Sequence, residues 1–115
     1  SFYFITRWPS KLRHFYTARG ERDRNVGDSF DLMFGALGLR SGSRRVSTKE
    51  ELVERLQEQG LSPQNFEYHL RVYDYGMAPH AGWAIGLSRL LMAITSLRNI
   101  REVVLYPRDR FRLSP

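Results

Sequence analysis

The residues best placed to do chemistry lie in the stretch 81–115, AGWAIGLSRLLMAITSLRNIREVVLYPRDRFRLSP. Gly82 and Gly86 bracket a short apolar run, and Arg89 follows in the first turn of an expected helix. Glycines let a backbone or a ligand approach a strand closely. An arginine at a helix start offers a planar fork to a phosphate or carboxylate, and the helix dipole there favours anions. The alternative is a solvated arginine on a helix face. A second group sets Arg40, Arg44 and Arg45 beside Ser41. It is a basic cluster that suits phosphate or nucleic acid or is simply surface charge, with Ser41 as a turn residue. His80 follows a proline in a tight turn, where a lone histidine is more often structural than catalytic. His14 and His69 have no metal-ligand spacing.

The chain that must position these groups has 115 residues, 42% of them hydrophobic and 13% aromatic. That is one small domain with a modest core, not a disordered chain. No apolar run reaches the length of a membrane span. The opening SFYFITRWPSK lacks the basic start and cleavage pattern of a secretory signal. Without cysteine there is no disulfide framework and no thiolate metal site. A cytoplasmic location is expected. Eighteen Lys and Arg face twelve Asp and Glu, for a net charge of +6. An arginine-rich surface suits phosphate or nucleic acid, and it also serves solubility.

The pattern alternates strands and helices. Phe2 to Trp8 is aromatic and β-branched, and Pro9 bounds it, so a strand is expected. Phe15 to Thr17 is a candidate short strand, and Ala18 to Asp28 a loop. Ser29 to Leu39 reads as one buried strand, bent or bulged at Gly35 and Gly38. Thr48 and Glu51 have capping-box spacing; Leu52, Val53 and Leu56 follow on one helix face, and Gly60 ends it. A second helix starts at Ser62 with Pro63 in its first position and places Phe66, Leu70 and Tyr73 on one face. Met77 to His80 is a turn and Ala81 to Ile85 a strand. Leu87, Leu90, Leu91 and Ile94 form the expected apolar stripe of a third helix. Glu102 to Tyr106 is expected to be a last strand, halted by Pro107. Trp8 and Trp83 are expected in the core. Asp109 is expected to form a solvated charge pair with its neighbours Arg108 and Arg110.

Six segments, in order, resemble class II aminoacyl-tRNA synthetases of the archaeal aspartyl/asparaginyl type. FITRWP at 4–9 is similar to that family's FITDWP or FITDYP. Phe15-Tyr16-Thr17 is similar to its PFYT, and Ser29-Phe30-Asp31-Leu32-Met33 to the strand entering its active site. SGSRRV at 41–46 resembles S-G-A-Q-R-I, and YGMAPHAG at 75–82 resembles YGMPPHAG. Motif 3 follows, with Gly86-Leu87-Ser88-Arg89 at the place of G-L-E-R, then NIRE and YPRD.

The resemblance implies a mixed α/β (α+β) fold, part of the antiparallel class II sheet flanked by three helices. It implies that residues 1–115 form a single domain, the C-terminal half of the catalytic domain, without motifs 1 and 2 and without the anticodon-binding domain. It implies ATP at Gly86, Leu87 and Arg89, and the amino acid at Ser41 and Arg45. ATP and Mg2+ are the implied cofactors. However, the glutamate that holds magnesium in the family is Gly38 here, and the glutamate of G-L-E-R is Ser88. Magnesium seeks hard oxygen ligands, which neither residue supplies as a carboxylate. The implied activity is ATP-dependent tRNA aminoacylation by a synthetase fragment or paralog, inactive as this isolated chain. The alternatives are a non-catalytic module of the same fold that binds tRNA or a synthetase partner, and an asparagine-synthetase-like relative. Expected partners are tRNA and, because a partial sheet exposes strand edges, a second copy or larger self-association; no membrane partner is expected.

Overall fold

The computed structural model describes residues 1–114. Four strands form one antiparallel sheet in sequence order: β1 (Phe2–Thr6), β2 (Ser29–Phe34), β3 (Leu37–Arg44) and β4 (Ala81–Ile85). Between β3 and β4 run α1 (Lys49–Glu58) and α2 (Glu67–Asp74), and α3 (Leu87–Thr95) follows β4. The mixed α/β expectation holds.

Local signals explain most boundaries. The Thr48 side chain accepts a hydrogen bond from the Glu51 amide at 3.4 Å and starts α1. Gly60, at φ +70°, stands just past its end. The second helix begins one residue past Ser62 as a single 3-10 turn, Pro63–Phe66, before α2 takes over.

The core lies beside the sheet, not across its face. Ala18, Val46, Leu52, Leu56 and Leu70 are buried together, with Phe15, Phe66 and Tyr73 packed against them. The helices α1 and α2 thus close on the loop before β2 and on Val46, two residues past β3. Arg55 joins this core at 1% exposure. Its Nη2 donates to the carbonyl of Ser10 at 2.8 Å, and its Nη1 pairs with Glu58 at 3.0 Å. Burial, the largest influence, holds its pKa below the ordinary guanidinium value.

Several expectations need correction. Residues 29–39 are not one bent strand. Gly35 takes φ +57° and turns the chain, so Phe34 pairs with Leu37 and two strands form a hairpin. A glycine with positive φ at the first position of a two-residue loop suits the right-handed twist of paired strands. The bulge does exist, but in the second arm: Leu32 pairs with Arg40 and Met33 with Gly38, which leaves Leu39 as the extra residue. β1 stops at Thr6, because Arg7 turns to φ +60°. Phe15 to Thr17 form no strand, only an isolated bridge between Thr17 and Arg45.

In α3 the buried residues are Met92 and Ala93, while Leu87 and Ile94 are more than two-thirds exposed. The helix docks by that side on the β2–β3 hairpin, sharing a cavity with Phe34 and Leu37. Residues 102–106 are not a strand. Asn99 accepts from the Arg101 amide at 3.1 Å, and Glu102 accepts from the Asn99 amide at 3.3 Å. That capping box winds Ile100–Val103 into a 3-10 turn and wins over the β-branched pair Val103-Val104. Trp83 is 58% exposed and carries the Arg40 guanidinium over its ring at 4.0 Å, so it is no core residue. Asp109 pairs with Arg101 at 3.2 Å, not with its neighbours, and accepts from the amides of Phe111 and Arg112.

Candidate functional site

Two adjoining cavities lie on one face of the sheet, where β3 and β4 run side by side. The larger, about 530 Å3, is lined by Asp31, Gly38, Ser41, Gly86, Leu87 and Arg89, among others. The smaller, about 180 Å3, is lined by Arg13, Tyr16, Thr17, Ser41, Ser43 and Arg45, among others. Ser41 belongs to both.

Alternation along the strands explains this gathering. Asp31 pairs with Ser41, and Ser41 with Ala84, so their side chains share a face. Gly38 is three residues from Ser41, and plain alternation would put it on the other face. The extra residue Leu39 shifts the phase, so Gly38 pairs with Met33 on the face of Asp31. A Cβ at position 38 would indeed lie nearest the Met33 sulfur, at 3.7 Å. The bulge therefore brings residues 38, 41 and 31 to one cavity wall.

Arg89 sits one turn into α3, where Gly86 N–H donates to Leu39 O at 3.0 Å and ties the helix start to the bulge. Its Nη1 donates to the Gly38 carbonyl at 3.1 Å. The remaining guanidinium protons stay available to the cavity. Arg45 lies over the Tyr16 ring, 4.6 Å from its centroid. Its Nη1 donates to Ser43 Oγ at 2.7 Å and its Nη2 to Gly82 O at 3.4 Å. Those contacts fix a planar fork in the small cavity; Arg45 is not loose surface charge. Its neighbours point elsewhere: Arg40 stacks on Trp83, and Arg44 Nε donates to Asp28 at 2.8 Å. That hydrogen bond raises the Arg44 pKa above its ordinary value.

Sequence reasoning missed one pair. Arg13 Nη1 and Nη2 donate to the two carboxylate oxygens of Asp31, at 3.2 and 3.0 Å. Asp31 lines the large cavity and Arg13 the small one, so the pair spans the wall between them. A lone acid inside the apolar run SFDLMF was the available signal. His80 lines neither cavity; it borders a third hollow behind Tyr16 and Arg45, its carbonyl accepts from the Arg45 amide at 2.9 Å, and its ring contacts Ala78 O at 3.0 Å.

The basic clusters divide. Arg19 pairs with Glu54 at 2.9 Å and with Glu58, and Arg24 pairs with Glu54 at 3.1 Å. Arg19 and Arg24 are thus engaged by carboxylates of α1. Arg108, Arg110 and Arg112 are exposed and have no ion pair among the described residues. Among the described residues, no helix is long and apolar enough to cross a membrane.

The site is chemically a cationic fork at each end of a joined hollow, with a hydroxyl between. Comparison with known proteins gives this arrangement a family. A model of the class II tRNA synthetases (D, K and N) matches residues 1–110. The chain is 49% identical over 113 residues to the aspartate–tRNA(Asp/Asn) ligase of Methanocaldococcus jannaschii, covering 98% of this chain and 26% of that protein. It is 48% identical over 115 residues to the aspartate–tRNA(Asp) ligase of Picrophilus torridus, covering 100% of this chain and 27% of the relative. The chain thus spans about a quarter of the length of these curated relatives. Among solved structures, the aspartyl-tRNA synthetase of Entamoeba histolytica superposes with a TM-score of 0.92 at 36% identity, over 99% of this chain and 24% of that one. The asparaginyl-tRNA synthetase of Pyrococcus horikoshii, complexed with asparaginyl-adenylate, superposes at 0.90 with 29% identity, over 99% of this chain and 27% of that one.

Proposed function

The chain belongs to the class II tRNA synthetases (D, K and N), and from that membership we propose that it forms the amino-acid and nucleotide wall of an aspartyl/asparaginyl-type catalytic domain, in its C-terminal part. The observation that carries this reading is the wall the two cavities share, formed by the paired residues Ser41 and Ala84, of which Ser41 supplies the polar group. An aminoacyl-adenylate joins a carboxyl group to an α-phosphate, so its two halves need adjoining pockets that meet at the junction. The large cavity, with Gly86, Leu87 and Arg89, takes the phosphate and nucleoside end. The small cavity, with Arg45, takes the amino-acid side chain. Ser41 stands where the two ends join.

The chemistry of Arg45 adds a preference. A guanidinium only donates, so it pairs with both oxygens of an aspartate carboxylate and meets only one acceptor on an asparagine amide. Aspartate is therefore the favoured side chain. In the whole protein this wall serves ATP-dependent charging of tRNA, and the exposed Arg108, Arg110 and Arg112 face the RNA backbone.

The test is a calorimetric titration of the chain with a non-hydrolysable aspartyl-adenylate analogue and its asparaginyl counterpart. The aspartyl analogue should bind more tightly, and Arg45→Met should remove that preference while Arg89→Met weakens both. If neither analogue binds, or neither substitution matters, the reading fails.

A further inference from the structure

The carboxylate chemistry that would seat a divalent cation is missing from the large cavity. Asp31 is the one acidic side chain among its lining residues, and both of its oxygens are already held by Arg13. Gly38 has no side chain, and its carbonyl accepts from Arg89. Among the described residues, no group of three or more His, Asp or Glu side chains is placed to hold a metal ion. Magnesium needs several hard oxygen ligands at close to octahedral positions, and this wall does not supply them. The site residues therefore do not fit the ion.

The positive charge in the same place is organic. Arg89 presents its guanidinium to the cavity from the start of α3. The dipole of that helix adds to it, and Arg13 neutralises the cavity's one acid. We infer that this wall takes a phosphate-bearing nucleotide as the free anion, through guanidinium and not through magnesium, so that the cation competes with the site for the ligand. This rests on the nucleotide reading of the large cavity proposed above. A guanidinium donates hydrogen bonds in a fork that matches phosphate oxygens. Magnesium in solution occupies those same oxygens and cancels part of the charge that Arg89 reads. The sign is therefore the reverse of the usual dependence: adding magnesium weakens binding.

The geometry also says how to convert the site. A Cβ at Gly38 meets only the Met33 sulfur, at an ordinary 3.7 Å, and the backbone there is not in the left-handed region. The backbone therefore accepts a Cβ at this position, and Gly38→Glu returns a carboxylate to the wall that Asp31 shares.

The experiment titrates the chain with ATP by calorimetry, once with EDTA and once with excess magnesium chloride. Wild type should bind more tightly with EDTA. Arg89→Met should lose about tenfold or more under both conditions, as expected for removing a charge-assisted hydrogen bond. Gly38→Glu should reverse the order, so that magnesium strengthens binding. Free manganese, followed by its paramagnetic resonance signal, should stay free over wild type. Wild-type ATP binding that requires magnesium, or manganese captured by wild type, overturns the inference and leaves the nucleotide reading standing. No ATP binding under either condition removes both.

Discussion

Gly82 carries a hydrogen where any other residue would put a Cβ 2.9 Å from Nη2 of Arg45. The glycine and the arginine are thus fitted to each other across β4 and the end of β3. Because the obstructing atom is the far end of a flexible side chain, Gly82→Ala should cost little stability, less than about 1 kcal/mol. It should nonetheless push the fork off its Ser43 and Gly82 anchors. We expect affinity for an aspartyl-adenylate analogue to drop about tenfold, the equivalent of one hydrogen bond to a charged group. Calorimetry together with a thermal melt separates the two effects. Unchanged affinity would mean that Arg45 does not hold the ligand.

Gly42 makes the opposite case. A Cβ there would meet the Phe30 ring at 2.6 Å and the Trp83 Cβ at 2.8 Å. Both neighbours sit on strands that cannot retreat freely. Gly42→Ala should destabilise the fold by about 1–3 kcal/mol, as overpacking does. Urea unfolding followed by circular dichroism reads this directly.

Leu52→Ala tests whether the lateral core carries the fold. Leu52 is fully buried between α1 and α2, so truncation should cost about 2–5 kcal/mol. Loss of the cooperative transition would agree with this; a melt like that of wild type would place the stability in the sheet alone.

Acid should loosen the contact between α1 and the loop before β2. The hydrogen bond from Arg19 holds the Glu54 carboxyl below its ordinary range. A depressed carboxylate pKa contributes stability that is full above the unfolded value and is lost as pH falls through the folded one. Glu54 is half-exposed, so the contribution stays under about 1 kcal/mol. Glu54→Gln should be less stable than wild type at neutral pH, and the gap should close in acid. A gap that persists below the carboxylate range would point to shape, not charge.

The exposed arginines near the C-terminus give a salt signature. If they meet an RNA backbone, the logarithm of affinity should fall by about 0.7–0.9 per tenfold salt for each phosphate neutralised. Replacing Arg108, Arg110 and Arg112 together with Ala should flatten that slope in anisotropy titrations with tRNA. Equal slopes would leave these residues as solvated surface.

Much of this was legible in the residues. The caps at Thr48 and Gly60, the face of Phe66, Leu70 and Tyr73, and the strand 81–85 followed from spacing alone. Ser41, Gly86, Leu87 and Arg89 do meet at one cavity, and Arg45 lies next door. What failed were features decided by partners distant in sequence. Whether residues 29–39 were one strand or two depended on which glycine took a positive φ. The buried side of α3 depended on the hairpin it met, and two residues of the expected stripe, Leu87 and Ile94, stayed outside. The Arg13–Asp31 pair joins residues eighteen apart in sequence, one just past a 3-10 turn and one on β2, a contact that no local pattern announces.

The unpaired residue at Leu39 is a spare: the chain can shorten there without changing which wall the site is built from. Delete it and the ladder closes without a gap, with Gly38 two residues before Ser41, still opposite Met33 and still on the face of Asp31. A slip is the damaging event. If Leu39 took the place opposite Met33, Gly38 would move opposite Phe34 and onto the reverse side of the sheet, where no substitution could reach the ligand. The two-residue tip at Gly35–Ala36 opposes that slip, because the slipped register would need a tip of three.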